Sequence, residues 1–241
     1  MRPDLEWENE YYKAALRHPE LGLPARQYLE NRGITQYTAD YWELGWSPMG
    51  CIPTNFDKDD KSCPWKKHWG RLIIPIRDSN GTLISLSGRM VIKRSNCPKY
   101  DHYPFPARKV LFGLWNNKKN IQEESRVIIT EGQIDVISAW QNGLKFVVSS
   151  FGAHCSLDHF AILSRYASTV DILYDEDAAG IKGTKMVADF PTWGDLIVNL
   201  RTGIFPAGED LDSWIKKHSA KELIDLINNN ETNRLMKLIT R

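Results

Sequence analysis

The stretch from Arg126 to Leu200 constrains this chain most. It alternates short apolar runs, RVIIT (126–130), KFVVSS (145–150), VDILY (170–174) and DLIVNL (195–200), with stretches of helical character. Those stretches are QIDVISAWQNG (133–143), SLDHFAILSRYAS (156–168) and AGIKGTKMVADF (179–190). Apolar runs of four to six residues read as buried strands, and strands alternating with helices imply a parallel sheet with right-handed crossovers. Gly143 is placed to stop the first helix and Ser156 to cap the second. In such a sheet, ligands bind beyond the carboxyl ends of the strands.

Acids occupy those ends. Glu131 follows RVIIT directly, with Gly132 next to it for a tight turn, and Asp135 lies four residues on, on the same helical face. Asp175 and Asp177 follow VDILY in alternate spacing, and Asp210 and Asp212 repeat that spacing after DLIVNL. Single acids at such places are common loop residues or favour a helix N-terminus. As a set at the ends of one sheet they predict a divalent-metal edge. Converging carboxylates would otherwise be driven toward protonation, and oxygen donors suit Mg²⁺ or Mn²⁺, two or more ions of which can serve a phosphoryl transfer.

The preceding residues differ. LEWENEYYKAALRH, PARQYLENRG and QYTADYWELG read as helices, the last capped by Thr35 and ended by Gly45. GRLIIPIRDSNGTLISLSGRM (70–90) places Asn80-Gly81 between two β-rich runs, a hairpin signal. CPKYDHYPFPARKVLFGLWN reads as an ordered loop over the sheet. Cations gather between Arg71 and Lys119, with Tyr100, Tyr103 and Phe105 among them, a pattern that suits phosphates and stacked bases. The formal net charge of +1 neither demands nor excludes a nucleic-acid partner, so the placement of charge decides. His102 and His159 read as a loop residue and a helix-surface residue. Four cysteines without a CxxC pair argue against a zinc ribbon and fit a reducing compartment; Cys51, Cys63 and His68 are a weak zinc pattern. No apolar run reaches the length of a membrane span, and the N-terminus has no signal-peptide core, so the expected place is the cytoplasm.

VIITEGQIDVISAW and ILYDEDAAG resemble the glutamate and DxD motifs of the TOPRIM fold. Upstream, ARQYLENRGITQYTADYWELGWSP, GRLIIPIRDSNGTLISLSGRM and PKYDHYPFPARKVLFGL resemble, in order, segments of the RNA polymerase domain of DnaG-type primases, bacterial or phage. PAGEDLDSWI resembles a later one, so the resemblance covers about residues 8 to 218. It implies an α/β fold: an α+β N-terminal subdomain with a basic template- and nucleotide-binding surface (1–125), a TOPRIM catalytic subdomain with a parallel sheet (126–205), and an acidic motif with a short helical tail (206–241).

The resemblance further implies a primase making short RNA primers on single-stranded DNA. The 3′-hydroxyl of one nucleotide attacks the α-phosphate of another, and pyrophosphate leaves. Glu131, Asp175 and Asp177 match the metal-binding acids, and Asp135, Asp210 and Asp212 the supporting or second-site acids. Arg89, Lys99 and Lys109, with Arg32 and Arg71, match the basic ridge for template and nucleoside triphosphates. The family's polar loop is here Asp101-His102-Tyr103-Pro104-Phe105-Pro106, a departure from its pattern. Neither a zinc-binding module nor a helicase-binding module has room in the chain. That fits a piece of a longer primase or a compact phage primase in the host cytoplasm, served by a replicative helicase and a separate zinc-binding module. A TOPRIM nuclease using the same acids, or a catalytically silent replisome adaptor or single-strand binder, are the other readings.

Overall fold

The computed structural model describes residues 4–49, 68–93, 95–175, 178–188, 197–201 and 210–229. The chain forms two compact units, Met1–Arg77 with Thr82–Phe105, and Asp78–Gly81 with Pro106–Arg241. The sequence-based boundary at residue 125 therefore differs from this division, because the segment after Pro106 packs with the second unit. Phe112 bridges Ser149, and Asn117 Nδ2 donates to the Val147 carbonyl at 2.8 Å.

In the first unit, α1 (Leu5–Arg17) is capped by Asp4, whose side chain accepts from the Glu6 N–H. It buries Tyr12, Ala15 and Leu16 against an antiparallel sheet. Two short helices follow, α2 (Leu23–Asn31), with Pro24 in its first turn, and α3 (Gln36–Tyr41), where Thr35 is the N-cap as the sequence predicts. Gly45 does not end α3. The helix stops earlier, Glu43 turns the chain with φ 52°, and Gly45 opens β1 (Gly45–Ser47). A Cβ at Gly45 would lie 2.5 Å from the Tyr12 Cβ, so the glycine lets β1 lie close against α1.

The sheet runs β1, β2 (Arg71–Arg77), β3 (Leu83–Met90), β4 (Tyr100–His102), all antiparallel. The β2–β3 hairpin turns where expected: Asp78 Oδ1 accepts from the Asn80 N–H at 2.8 Å, and Gly81 takes φ 93°. Tyr12, Ile73, Leu83 and Leu86 form the core beneath α1. The segment read as loop contains β4, a strand whose partner on β3 its own residues do not reveal.

The second unit has a parallel sheet in the order β6-β5-β7-β8, from β5 (Arg126–Thr130), β6 (Val147–Ser149), β7 (Thr169–Leu173) and β8 (Ile197–Arg201). Its helices are α4 (Leu114–Glu124), α5 (Gln133–Gln141), α6 (Leu157–Leu163), α7 (Ala178–Ala188), α8 (Leu211–Ile215) and α9 (Ala220–Asn229). Gly143 ends α5's turn with φ 89°, and the Ser156 hydroxyl accepts from the His159 N–H, both as predicted. α4 was not expected; Gly113, at φ 85°, turns the chain into it. Arg126 and Asp171 join neighbouring strands, Arg126 Nε to Asp171 Oδ2 at 2.5 Å, with Asp171 wholly buried. Among the described residues no helix is long and apolar enough to cross a membrane.

Candidate active site

From β5 the chain moves outward to β6, then crosses back to β7 on the other side of β5. The reversal leaves a crevice beyond the carboxyl ends of β5 and β7, where open parallel sheets take up ligands. Glu131 and Asp175 stand there, each just past its strand. The Asp175 N–H donates to Glu131 Oε1 at 3.1 Å, which holds the glutamate side chain across the strand ends.

A shaped support surrounds the pair. The Ser149 hydroxyl and the Gly152 N–H both donate to the Glu131 carbonyl, at 2.6 and 2.9 Å. Ser150 Oγ lies 2.9 Å from the Tyr174 hydroxyl and donates to the Gly152 carbonyl at 2.7 Å. Phe151 and Gly152 take φ 60° and 116°, left-handed conformations that turn this loop back over β5. From the other side α7 presses in. A Cβ at Gly180 would strike the Asp175 carbonyl and lie 2.9 Å from Glu131 Oε1, and one at Gly183 would strike Ala153. Burial first, then the neighbouring Cys155, pushes the Tyr174 hydroxyl upward, and burial pushes the Cys155 thiol up to about 12. At neutral pH both keep their protons and serve as hydrogen-bonding groups beneath the acids.

The remaining acids are placed variously. Asp135 is half-buried in the first turn of α5, its carboxylate filling the space that a Cβ at Gly132 would need. Asp177 lies outside the described residues. Asp210 is exposed and caps α8, accepting from the Ser213 N–H at 2.8 Å. Asp212 is buried and takes Lys216 Nζ at 2.7 Å. Among the described residues no three His, Cys, Asp or Glu side chains form a metal-sized group. The donors at the crevice are carboxylate oxygens, and the missing side chain at Gly180 lets α7 come close to the Glu131 carboxylate. That chemistry fits a hard divalent cation.

The basic residues also divide. Arg71 is buried and donates to the carbonyls of Gly88 and Pro98, both at 2.9 Å, and of Lys99. Its guanidinium braces β2, β3 and the approach to β4, because burial within the sheet gives it carbonyls to satisfy. Arg89 lies over the Tyr100 ring at 4.8 Å, and its buried Nε meets no partner among the described residues. Arg32 is half-buried beside the Tyr28 ring, and Lys99 is exposed.

In the second unit Lys109 is exposed on a 3₁₀ turn, Ala107–Lys109. That turn is tied to α6 by Ser156 Oγ to the Arg108 carbonyl at 2.7 Å, and by His159 Nε2 at 2.9 Å from the Ala107 carbonyl. His159 is thus no surface residue. It is buried, its pKa is lowered by that burial, and it closes a capping box with Ser156. Cys51 and Cys63 lie outside the described residues.

Sequence reading missed Ser149, Ser150 and Tyr174 as supports of the acids. The available signal was the pair Gly180 and Gly183, three apart on one helical face where a loop must approach closely.

The model of a Toprim-like family matches residues 128–215. A DNA primase of Enterococcus faecalis (strain ATCC 700802 / V583) is 29% identical over 245 residues, covering 91% of this chain and 39% of the relative. A DNA primase of Escherichia coli (strain K12) is 28% identical over 235 residues, covering 87% and 39%. The chain thus spans about two fifths of the length of the curated relatives it matches. Among solved structures, one of the DnaG catalytic core superposes with a TM-score of 0.80 at 25% identity, covering 93% of this chain and 78% of that one. A DnaG primase catalytic domain bound to single-stranded DNA gives 0.78 at 24%, covering 93% and 76%.

Proposed function

We propose that this chain, a relative of the DnaG-type primases with the fold of their catalytic core, synthesises short RNA primers on single-stranded DNA from nucleoside triphosphates. The observation that carries the reading is the meeting of Glu131 and Asp175 at the reversal point of the parallel sheet. Relatedness to primases supports the use of a divalent metal. Oxygen donors favour Mg²⁺ or Mn²⁺ over zinc, held by Glu131, Asp175 and Asp177 with Asp135, Asp210 and Asp212 in support.

When bound, such ions supply charge neutralisation at the α-phosphate and acidify the attacking 3′-hydroxyl. The protein's own contribution is positioning. The Asp175 N–H orients the Glu131 carboxylate, while Ser149 and Gly152 fix the backbone that carries it. Such preorganisation spares the acids from rearranging as charge develops. Arg89, Lys99, Lys109 and Arg32 hold template or triphosphate phosphates. Arg89 is best prepared for that work, since its buried Nε meets no partner among the described residues. A replicative helicase and a separate zinc-binding module are the expected partners, in the cytoplasm.

The test supplies labelled ribonucleotides, single-stranded DNA of mixed sequence and Mg²⁺ or Mn²⁺, with Asp177→Ala beside the wild type. Short RNA from the wild type alone is the expected result. Cut template would identify a nuclease instead. Intact template with no RNA, but with metal-independent DNA binding, would identify an adaptor.

A further inference from the structure

The first unit holds a further buried cluster. Glu8 sits on α1, wholly buried. Its Oε1 accepts from the Tyr103 hydroxyl at 2.5 Å and from the Tyr12 hydroxyl at 3.2 Å. Its Oε2 is buried with no hydrogen-bond partner, and no lysine or arginine pairs with Glu8 among the described residues. Tyr103 in turn stacks on the buried His68, ring centres 4.5 Å apart. Its backbone continues the pairing of β4 with β3: the Tyr103 N–H donates to the Leu86 carbonyl at 3.1 Å, and Ser85 Oγ to the Tyr103 carbonyl at 2.9 Å.

β4 itself is weak. It has three residues, all half-buried, at the end of the sheet order, and so short a strand has little stability of its own. Yet it carries Tyr100, on which Arg89 rests, and it is led in by Lys99. Arg71 braces the strand's leading end through the Pro98 and Lys99 carbonyls, and its far end is fastened by the residue just beyond it, through the Tyr103 hydroxyl to Glu8. Tyr103 belongs to the loop where this sequence departs from the primase pattern.

We infer that Glu8 and Tyr103 form a clamp from helix α1 that positions strand β4, and with it Lys99, Tyr100 and Arg89, for the single-stranded template. Both are positioning residues, and the inference rests on the primase reading above. A carboxylate accepts the tyrosine hydrogen bond more strongly than a carboxylic acid does, so the clamp tightens when Glu8 is ionised. Burial raises the Glu8 pKa to about 7, with the Tyr103 and Tyr12 hydrogen bonds opposing that rise. The groups facing it are Tyr12 from its own helix and Tyr103 from beyond β4, with His68 behind Tyr103.

The experiment uses the full chain with Tyr103→Phe, which keeps the ring and its stacking and removes only the hydroxyl, and Glu8→Gln, which stays uncharged at every pH. Two measurements are made: amide hydrogen exchange of β4, and affinity for fluorescent single-stranded DNA at pH 6 and pH 8. The expected result is exchange about tenfold faster in folded Tyr103→Phe, with about tenfold weaker DNA binding, a factor that corresponds to the loss of one such hydrogen bond. Glu8→Gln binds as the wild type does at pH 6 and severalfold more weakly at pH 8. Unchanged exchange in Tyr103→Phe overturns the clamp whatever the enzyme does. A wild-type-to-Gln affinity ratio that stays flat with pH removes the role of ionisation. Wild type that neither binds DNA nor makes RNA sinks the primase reading, while the exchange experiment still decides the clamp.

Discussion

Each unit buries an acid in its interior, and the two are partnered in opposite ways. In the parallel-sheet unit, Asp171 faces the guanidinium of Arg126 across neighbouring strands. In the antiparallel-sheet unit, Glu8 faces two tyrosine hydroxyls, and its burial is answered by a pKa near 7. A cation beside a buried acid ties two strands together without leaving a charge alone. Hydroxyls cannot neutralise it, so the second acid stands at the edge of protonation and weakens the fold wherever it ionises. Retaining it makes sense if the group positions something. A third arrangement stands at the mouth of the parallel sheet, where the Asp175 N–H donates to Glu131 Oε1 beside the crevice. Interior acids are consumed by structure to different degrees, and the proposed chemistry falls to the acids at the edge.

The largest effect should come from the edge. Glu131→Gln preserves the acceptor for the Asp175 N–H but removes the charge. Primer synthesis is expected to fall about a thousandfold, the scale of losing one preorganised electrostatic contact, while the melting temperature holds. A variant that retained a tenth of the activity would break the distinction between edge and interior. Next comes the paired interior. Arg126→Ala leaves Asp171 buried without its guanidinium and should cost about 3–5 kcal/mol in chemical denaturation. Arg126→Met with Asp171→Leu, which removes both charges, should recover most of it. A loss under about 1 kcal/mol in the single variant would mean that the pair is not shielded from water as its burial implies.

The unpaired interior gives the third effect, through pH. The folded pKa of Glu8 is raised from 4.5 to about 7, so between those values the folded state binds more proton than the unfolded state. Stability therefore falls as pH rises through that window, by about 3 kcal/mol in all. Above pH 7 the full penalty is present. Glu8→Gln should flatten this slope and melt higher than the wild type at pH 8, while binding template less well there. That inversion, more stable yet weaker in binding, is not what damage to a merely structural residue would produce.

These contrasts also mark what the sequence makes legible. The parallel sheet is readable because apolar runs and helical stretches alternate with their own caps and stops, Ser156 and Gly143 among them. Glu131 and Asp175 are readable because strand ends are where such sheets bind. Arg71 misleads in part: a cation in a basic stretch shows nothing of the carbonyls with which the fold surrounds it. His159 misleads likewise, since its burial depends on a turn some fifty residues earlier in the chain. Glu8 carries no local signal at all. One turn along an amphipathic helix, a buried glutamate looks like an exposed one, and only the arrival of Tyr103 from far along the chain makes it distinct.

Asp210 offers the finest division between structure and chemistry, because it belongs to both expectations. Its side chain accepts from the Ser213 N–H, and its own N–H donates to Ser213 Oγ at 2.8 Å, a reciprocal cap on α8. Asp210→Ala should cost about 1 kcal/mol, the usual worth of an N-cap. Asp210→Asn should restore that loss, since asparagine caps as well as aspartate does. The two variants together therefore separate the oxygen from the charge. With the cap restored, a severalfold rise in the Mg²⁺ concentration needed for half-maximal primer synthesis is the expected result, since the edge has lost a supporting carboxylate. An unchanged Mg²⁺ requirement would assign Asp210 to the helix alone, with Glu131, Asp175 and Asp177 left to hold the ions.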